Sequence, residues 1–207
     1  MTNVNIDLNL VKACAVCTSK DEYRYYLNGV FITSDGESLV SVATDGHRLA
    51  AFRHTIDQEA PLAPFGVIVP LSIIAGIKLN KVGTIATLSH VEGLKWSIAY
   101  YGQSITFDAI DGTFPDWRRV VPKETSGEIA QFNPVYIGDF AKIAKILGGK
   151  KDAPVIISHN GGGPSLVSFG DDIDGIACIM PIRDKGRGVN APYWIHSTKN
   201  KDQVKAA

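Results

Sequence analysis

Apolar residues recur at helical spacing in three stretches of the chain. The first covers about residues 8–19, the second about 71–81, and the third runs from Phe132-Asn133-Pro134 to about Leu147. In the third, Ile137, Phe140, Ala144 and Leu147 share one stripe, while Asp139, Lys142 and Lys145 lie off it, as in an amphipathic helix. Pro70 and Pro134 precede or open two of these stretches, where a missing N–H costs nothing. Gly148-Gly149 supplies a helix stop. Strand-like runs follow each helix, at 25–34 and 38–44, then 84–89, 94–100 and 104–110, then 154–158, 165–169 and 176–182. Asp35-Gly36 between two such runs is a hairpin signal. The helices begin near positions 8, 71 and 133, a spacing of 63 and then 62. A constant period marks a repeated unit. The unit is one helix plus about three antiparallel strands, used three times, which predicts an α+β architecture.

Linkers are expected at 58–64 and 123–130. Residues 184–207 show no apolar period. Their Lys185, Arg187, Lys199, Lys201 and Lys205 outnumber Asp184 and Asp202, giving +3, so a mostly disordered basic tail is expected there. Tyr193-Trp194-Ile195 is its one apolar cluster.

Composition narrows the class. The chain has 207 residues, 45% hydrophobic and 20% charged, with 21 basic and 21 acidic side chains. Zero net charge argues against broad phosphate-driven nucleic-acid binding, so any DNA contact needs a local patch. No stretch is apolar enough to span a bilayer, and the N-terminal residues lack the order of a signal peptide, so the expected location is the cytoplasm. Cys14 and Cys17 form a C-x-x-C without a second ligand pair, and they fall on the Leu10–Val11 stripe of the first helix. They read as core, with no metal expected. Gly161-Gly162-Gly163 lacks the Lys-Ser/Thr and following helix of a phosphate loop, so no cofactor is expected. A metal protein using Cys14, Cys17 and a histidine stays open as an alternative.

Three motifs carry a resemblance. They are Arg24-Tyr25-Tyr26-Leu27-Asn28-Gly29-Val30 with Ala43-Thr44-Asp45-Gly46-His47-Arg48-Leu49-Ala50; Gly112-Thr113-Phe114-Pro115-Asp116-Trp117-Arg118-Arg119-Val120-Val121-Pro122; and Ile179-Met180-Pro181-Ile182-Arg183. In this order they resemble the bacterial DNA sliding clamp, the processivity subunit of the replicative polymerase, with Trp117 where that family has Tyr. The resemblance covers about residues 4–183. Residues 4–122 resemble the complete middle domain, as two units at about 4–58 and 62–122, and 130–183 resemble the second half of the last domain. The clamp's first domain and half of its last one have no counterpart here.

The resemblance implies a DNA-clamp fold and a non-catalytic replication accessory protein. Its implied partners are the replicative DNA polymerase, the clamp loader and repair proteins, bound through short peptide motifs. The implied peptide groove consists of Tyr26, Leu27, Thr44, Gly46, His47, Arg48, Leu49, Pro115, Arg119, Val120, Cys178, Met180, Pro181, Ile182 and Arg183. In the family the helices face duplex DNA, which here assigns Lys12, Lys78, Lys81, Lys142 and Lys145 to it. Lysines on a polar helix face are equally at home in plain solvation. A family ring uses twelve units, so four copies of a three-unit chain would supply them. A homo-oligomer around double-stranded DNA and a monomeric decoy or adaptor competing for clamp partners both remain open.

Overall fold

The computed structural model describes residues 2–55, 57, 62–79, 84–148, 154–183, 191–192 and 195. It holds three α-helices and eleven strands among those residues. They run β1 (Asn3–Asp7), α1 (Leu8–Ala15), β2 (Gly29–Ser34), β3 (Leu39–Thr44), β4 (Arg48–Arg53), β5 (Phe65–Pro70), α2 (Leu71–Gly76), β6 (Ile85–Glu92), β7 (Lys95–Tyr100), β8 (Gln103–Asp108), α3 (Pro134–Ile146), β9 (Ile156–Ser158), β10 (Ser165–Ser168) and β11 (Gly175–Ile179). The architecture is α+β, as the repeat predicts.

The sheets show how the repeats combine. One sheet has the order β1-β6-β7-β8 and the other β5-β2-β3-β4-β11-β10-β9. The strand leading into α1 therefore crosses into the second unit's sheet, and the strand leading into α2 crosses into the first unit's sheet. The first two units are interleaved by this exchange. The third unit joins by edge pairing, since β11 runs antiparallel to β4 with Cys178 opposite Leu49 and Ala177 opposite Ala50.

Strand periodicity divides the core. Ala50, Phe52, Ala177 and Ile179 face one way and pack with Leu8, Val11 and Cys14 of α1. Leu49, Ala51 and Cys178 face the other way and pack with Leu27, Val42, Ile68 and Phe114. Helices thus cover one face of the long sheet, and a smaller apolar cluster covers the opposite face.

The helices have clear causes. The Asp7 carboxylate accepts from Asn9 N–H at 2.8 Å and caps α1, while Asn133 accepts from Val135 N–H at 3.0 Å and caps α3. Gly148, at φ +86°, closes α3 in the left-handed region. Two expected helices are shorter than their apolar periods. α1 stops at Ala15 because Thr18 Oγ1 donates to Ala15 O at 2.9 Å and Ser19 N–H turns to Leu27 O at 3.0 Å. α2 stops at Gly76 because Ile77 turns extended and is buried. The strand expected from Tyr25 starts only at Gly29, after a 3-10 turn over Tyr25–Leu27. The strand expected to reach 182 ends at Ile179, because Met180 N–H donates to His47 O and Ile182 N–H to Gln131 O, each at 2.8 Å.

The linker expected at 123–130 is stitched to the third unit. Gly127 N–H donates to His159 O at 3.0 Å, Gly161 N–H to Glu128 O at 2.8 Å and Ala130 N–H to His159 Nδ1 at 3.1 Å. Most of the other expected linker and of the tail lies outside the described residues, as does Lys81.

His54 links the sheet to the start of α1. Its Nδ1 accepts from Asp7 N–H at 2.9 Å, so Nε2 carries the proton and donates to Ser41 Oγ at 2.8 Å. Burial pushes its pKa down to about 4 from 6.5. The unfolded chain therefore binds a proton between pH 6.5 and 4 that the folded chain refuses. The stability this group contributes is present above pH 6.5 and is lost as pH falls toward 4, about 2 kcal/mol between pH 7 and 4.5. Urea unfolding at the two pH values should show the drop, and His54→Gln should flatten that part of the profile. An unchanged slope in the variant refutes the assignment.

Candidate functional site

The sheet face opposite the helices carries a concave, mostly apolar groove of about 220 Å³. That volume suits one or two side chains rather than a large cofactor. Its floor is Leu49 of β4 beside Cys178 of β11, so the junction between the first and third units forms it. Leu27 enters from the 3-10 turn, and Thr44, Gly46, His47 and Arg48 from the β3–β4 turn. Pro115, Asp116, Trp117 and Val120 enter from the segment after β8, and Pro164 and Met180 from the third unit.

Local chemistry fixes each wall. In the β3–β4 turn the Asp45 carboxylate accepts from His47 N–H at 2.8 Å and Arg48 N–H at 2.9 Å. Thr44 Oγ1 accepts from Gly46 N–H at 3.0 Å and donates to Arg48 O at 2.8 Å. Gly46 sits at φ +90°, which requires glycine here. Arg24, paired with Asp21 at 2.9 Å, donates from Nη1 to Asp45 O at 3.0 Å and holds the turn from behind. On the facing wall Phe114 is buried and stacks on Phe31, centroids 4.8 Å apart and planes 12° apart. That anchor positions a 3-10 turn over Trp117–Val120, with Arg118 lying over the Trp117 ring at 4.6 Å.

The first and third units are also tied by charge. Arg48 contacts Asp139 of α3 through Nη1 and Asp45 through Nε at 3.3 Å, and its guanidinium lies 4.7 Å above the Tyr136 ring. Lys142 reaches the other oxygen of Asp139 at 2.7 Å. His47 stacks beside Tyr136 at 6.1 Å. The arrangement offers a mostly apolar recess rimmed by Arg48 and the His47 ring, suited to an apolar side chain next to a carbonyl or carboxylate.

Ten of the fifteen residues expected at the groove line it. Tyr26, Arg119, Pro181, Ile182 and Arg183 do not. Tyr26 packs beneath Gly112, whose added Cβ would stand 2.8 Å from the Tyr26 Cβ. Arg119 is exposed on its 3-10 turn, and the chain leaves the recess after Met180 when Ile182 pairs with Gln131. Asp116, Trp117 and Pro164 line the groove without having been assigned to it. The first two lie inside a motif already singled out, whereas Pro164 carries no sequence signal. Of the lysines, Lys78, Lys142 and Lys145 are exposed and Lys12 is half-buried, its pKa lowered by desolvation.

Cys14, Cys17 and Cys178 are buried free thiols. Cys14 Sγ donates to Ser41 O at 3.1 Å. Burial raises the Cys14 pKa and pushes Cys17 and Cys178 up to about 12, with Arg48 partly opposing the shift at Cys17. Among the described residues no group of three or more His, Cys, Asp or Glu side chains is arranged to hold a metal ion, and no helix is long and apolar enough to cross a membrane.

The profile of the DNA polymerase III beta subunit, central domain, matches residues 4–116. The chain belongs to the DNA polymerase III beta subunit family. The beta sliding clamp of Escherichia coli is 38% identical over 115 residues, covering 55% of this chain and 31% of that protein. The clamp of Proteus mirabilis is 28% identical over 192 residues, covering 90% of this chain and 52% of that protein. The chain thus spans about a third to a half of the length of such relatives. The DNA polymerase III subunit beta of Pseudomonas aeruginosa superposes with a TM-score of 0.70 at 21% identity, covering 88% of this chain and 67% of that one. The fold is the clamp fold.

Proposed function

We propose that this clamp-family chain is a non-catalytic replication accessory protein. It docks short peptides of the replicative polymerase, clamp loader or repair proteins in the groove. The observation that carries the reading is the groove itself, a mostly apolar recess to which all three units contribute. Leu27, Leu49, Val120 and Met180 would bury a leucine or phenylalanine anchor, and Met180 can adapt to either shape. His47 and Arg48 would hold an adjacent carbonyl or carboxylate.

The helix face is proposed as the DNA side. Lys12, Lys78 and Lys145 stand on or beside the helices, on the far side of the long sheet from the groove. A peptide and a duplex would then not compete for one surface. Titrating a labelled peptide with a Leu-Phe anchor should give saturable binding, weakened about tenfold by Met180→Ala because one wall of the anchor pocket is lost. Absence of binding at high micromolar protein rejects the groove reading.

A second reading, a monomeric adaptor or decoy, differs from a ring in whether the sheet edges pair with a second copy. β8 and β9 are both terminal strands with no neighbour on their outer side among the described residues. Light scattering separates the two. A mass near 22.3 kDa favours the adaptor, and a mass near four times that favours a ring of twelve units.

A further inference from the structure

The chain does not end at the groove. Met180 lines the recess, and 24 residues follow Arg183. The groove wall and the root of this tail are therefore only three residues apart. The tail carries one apolar cluster, Tyr193-Trp194-Ile195, in an otherwise polar and basic stretch. Ile195 N–H donates to Pro192 O at 3.0 Å, and Ile195 is half-exposed and outside both core clusters.

We infer that the Tyr193-Trp194-Ile195 segment is a built-in occupant of the groove and competes in cis with partner peptides. The inference rests on the groove reading above. Three observations support it. First, the reach is ample. Twelve residues lie between Met180 and Tyr193, a length that reaches about 45 Å fully extended, and Met180 itself lines the recess. A segment tethered so close has an effective concentration on the order of millimolar. Second, the chemistry matches. The recess is apolar and lined by Leu27, Leu49, Trp117 and Met180, and the cluster offers two aromatic rings and a branched aliphatic side chain. Third, charge does not oppose the contact. The tail carries +3, whereas Arg48 is already paired with Asp139 and Asp45 and Asp116 lines the groove, so added salt should weaken self-docking.

The competition has a definite size. A local concentration on the order of 1 mM against an intrinsic Kd on the order of 100 μM weakens outside peptides about tenfold. The test compares the full chain with its Tyr193→Ala/Trp194→Ala double variant, using the labelled Leu-Phe peptide and anisotropy. The variant should bind about tenfold more tightly. A synthetic peptide spanning residues 188–198, added to the variant, should displace the labelled one. Equal affinities for the two proteins, or no displacement, overturn the tail inference and leave the groove reading standing. No binding to either protein rejects the groove reading and the inference together.

Discussion

Replacing Asp139 with alanine should lower the unfolding free energy by about 3–5 kcal/mol, because it breaks a buried ion pair and leaves the Arg48 guanidinium with Asp45 as its one remaining carboxylate. The two side chains are 8% and 11% exposed, so water cannot take over the lost partner. Asp45 remains, but at 3.3 Å from Nε it already serves the β3–β4 turn through two backbone N–H groups. Lys142 loses its partner as well, though its exposed ammonium re-solvates at little cost. The effect should reach beyond stability. Arg48 and His47 line the groove, and both contact Tyr136 on the same helix. Peptide affinity should therefore fall in Asp139→Ala even where the protein stays folded. Urea unfolding and anisotropy on one preparation separate the two losses. Additivity of Asp139→Ala and Arg48→Met in a double-mutant cycle would refute the pairing, since coupled residues must deviate from it.

Much of this arrangement is readable from local signals. The helix starts at Leu8, Leu71 and Pro134 coincide with the starts of the apolar periods, reinforced by the Asp7 cap at the first, Pro70 at the second, and Asn133 with Pro134 at the third. The Asp35-Gly36 hairpin forms as written, with Gly36 at φ +99° and Ser38 N–H donating to the Asp35 carboxylate at 2.8 Å. The errors cluster where tertiary pairing decides. β1, β4 and β5 are not evident from a unit of one helix and three strands. β1 and β5 pair outside their own unit, and β4 is buried over Leu49–Phe52 with β11 lying beside it. The groove divides in the same way. Leu27, Thr44, Gly46 and Leu49 follow from motif and turn chemistry. Pro164 enters through the third unit's packing, and Ile182 and Arg183 leave because a backbone bond to Gln131 turns the chain away. Asp139 was assigned to the polar face of its helix, yet it is buried. Only the placement of Arg48 across the unit boundary explains that.

The same boundary gives the second large effect. Gly175→Ala should cost about 3 kcal/mol or more and loosen the third unit first. The glycine opens β11 opposite Phe52 of β4, and Arg53 N–H donates to Asp174 O at 2.8 Å just beside it. An added Cβ would stand 2.6 Å from Ala51 O and 2.9 Å from Phe52 Cα, and would also press on the Phe52 ring. Two of those three neighbours are backbone, which cannot rotate away, so relief requires the strands to part. Phe52 cannot yield cheaply either, since it is fully buried and its ring meets Phe169 at 5.8 Å. Parting β4 from β11 separates Leu49 from Cys178 and removes the groove floor. Hydrogen exchange should therefore show the amides of Ile176 and Cys178, which face β4, losing protection in the variant, while β6 and β7 of the other sheet keep theirs. Gly138→Ala on α3, where an added Cβ meets nothing within 4 Å, is the matched control. Uniform loss of protection across both sheets would mean that the third unit and the interleaved pair unfold as one body, and the groove would then depend on the whole fold rather than on this junction.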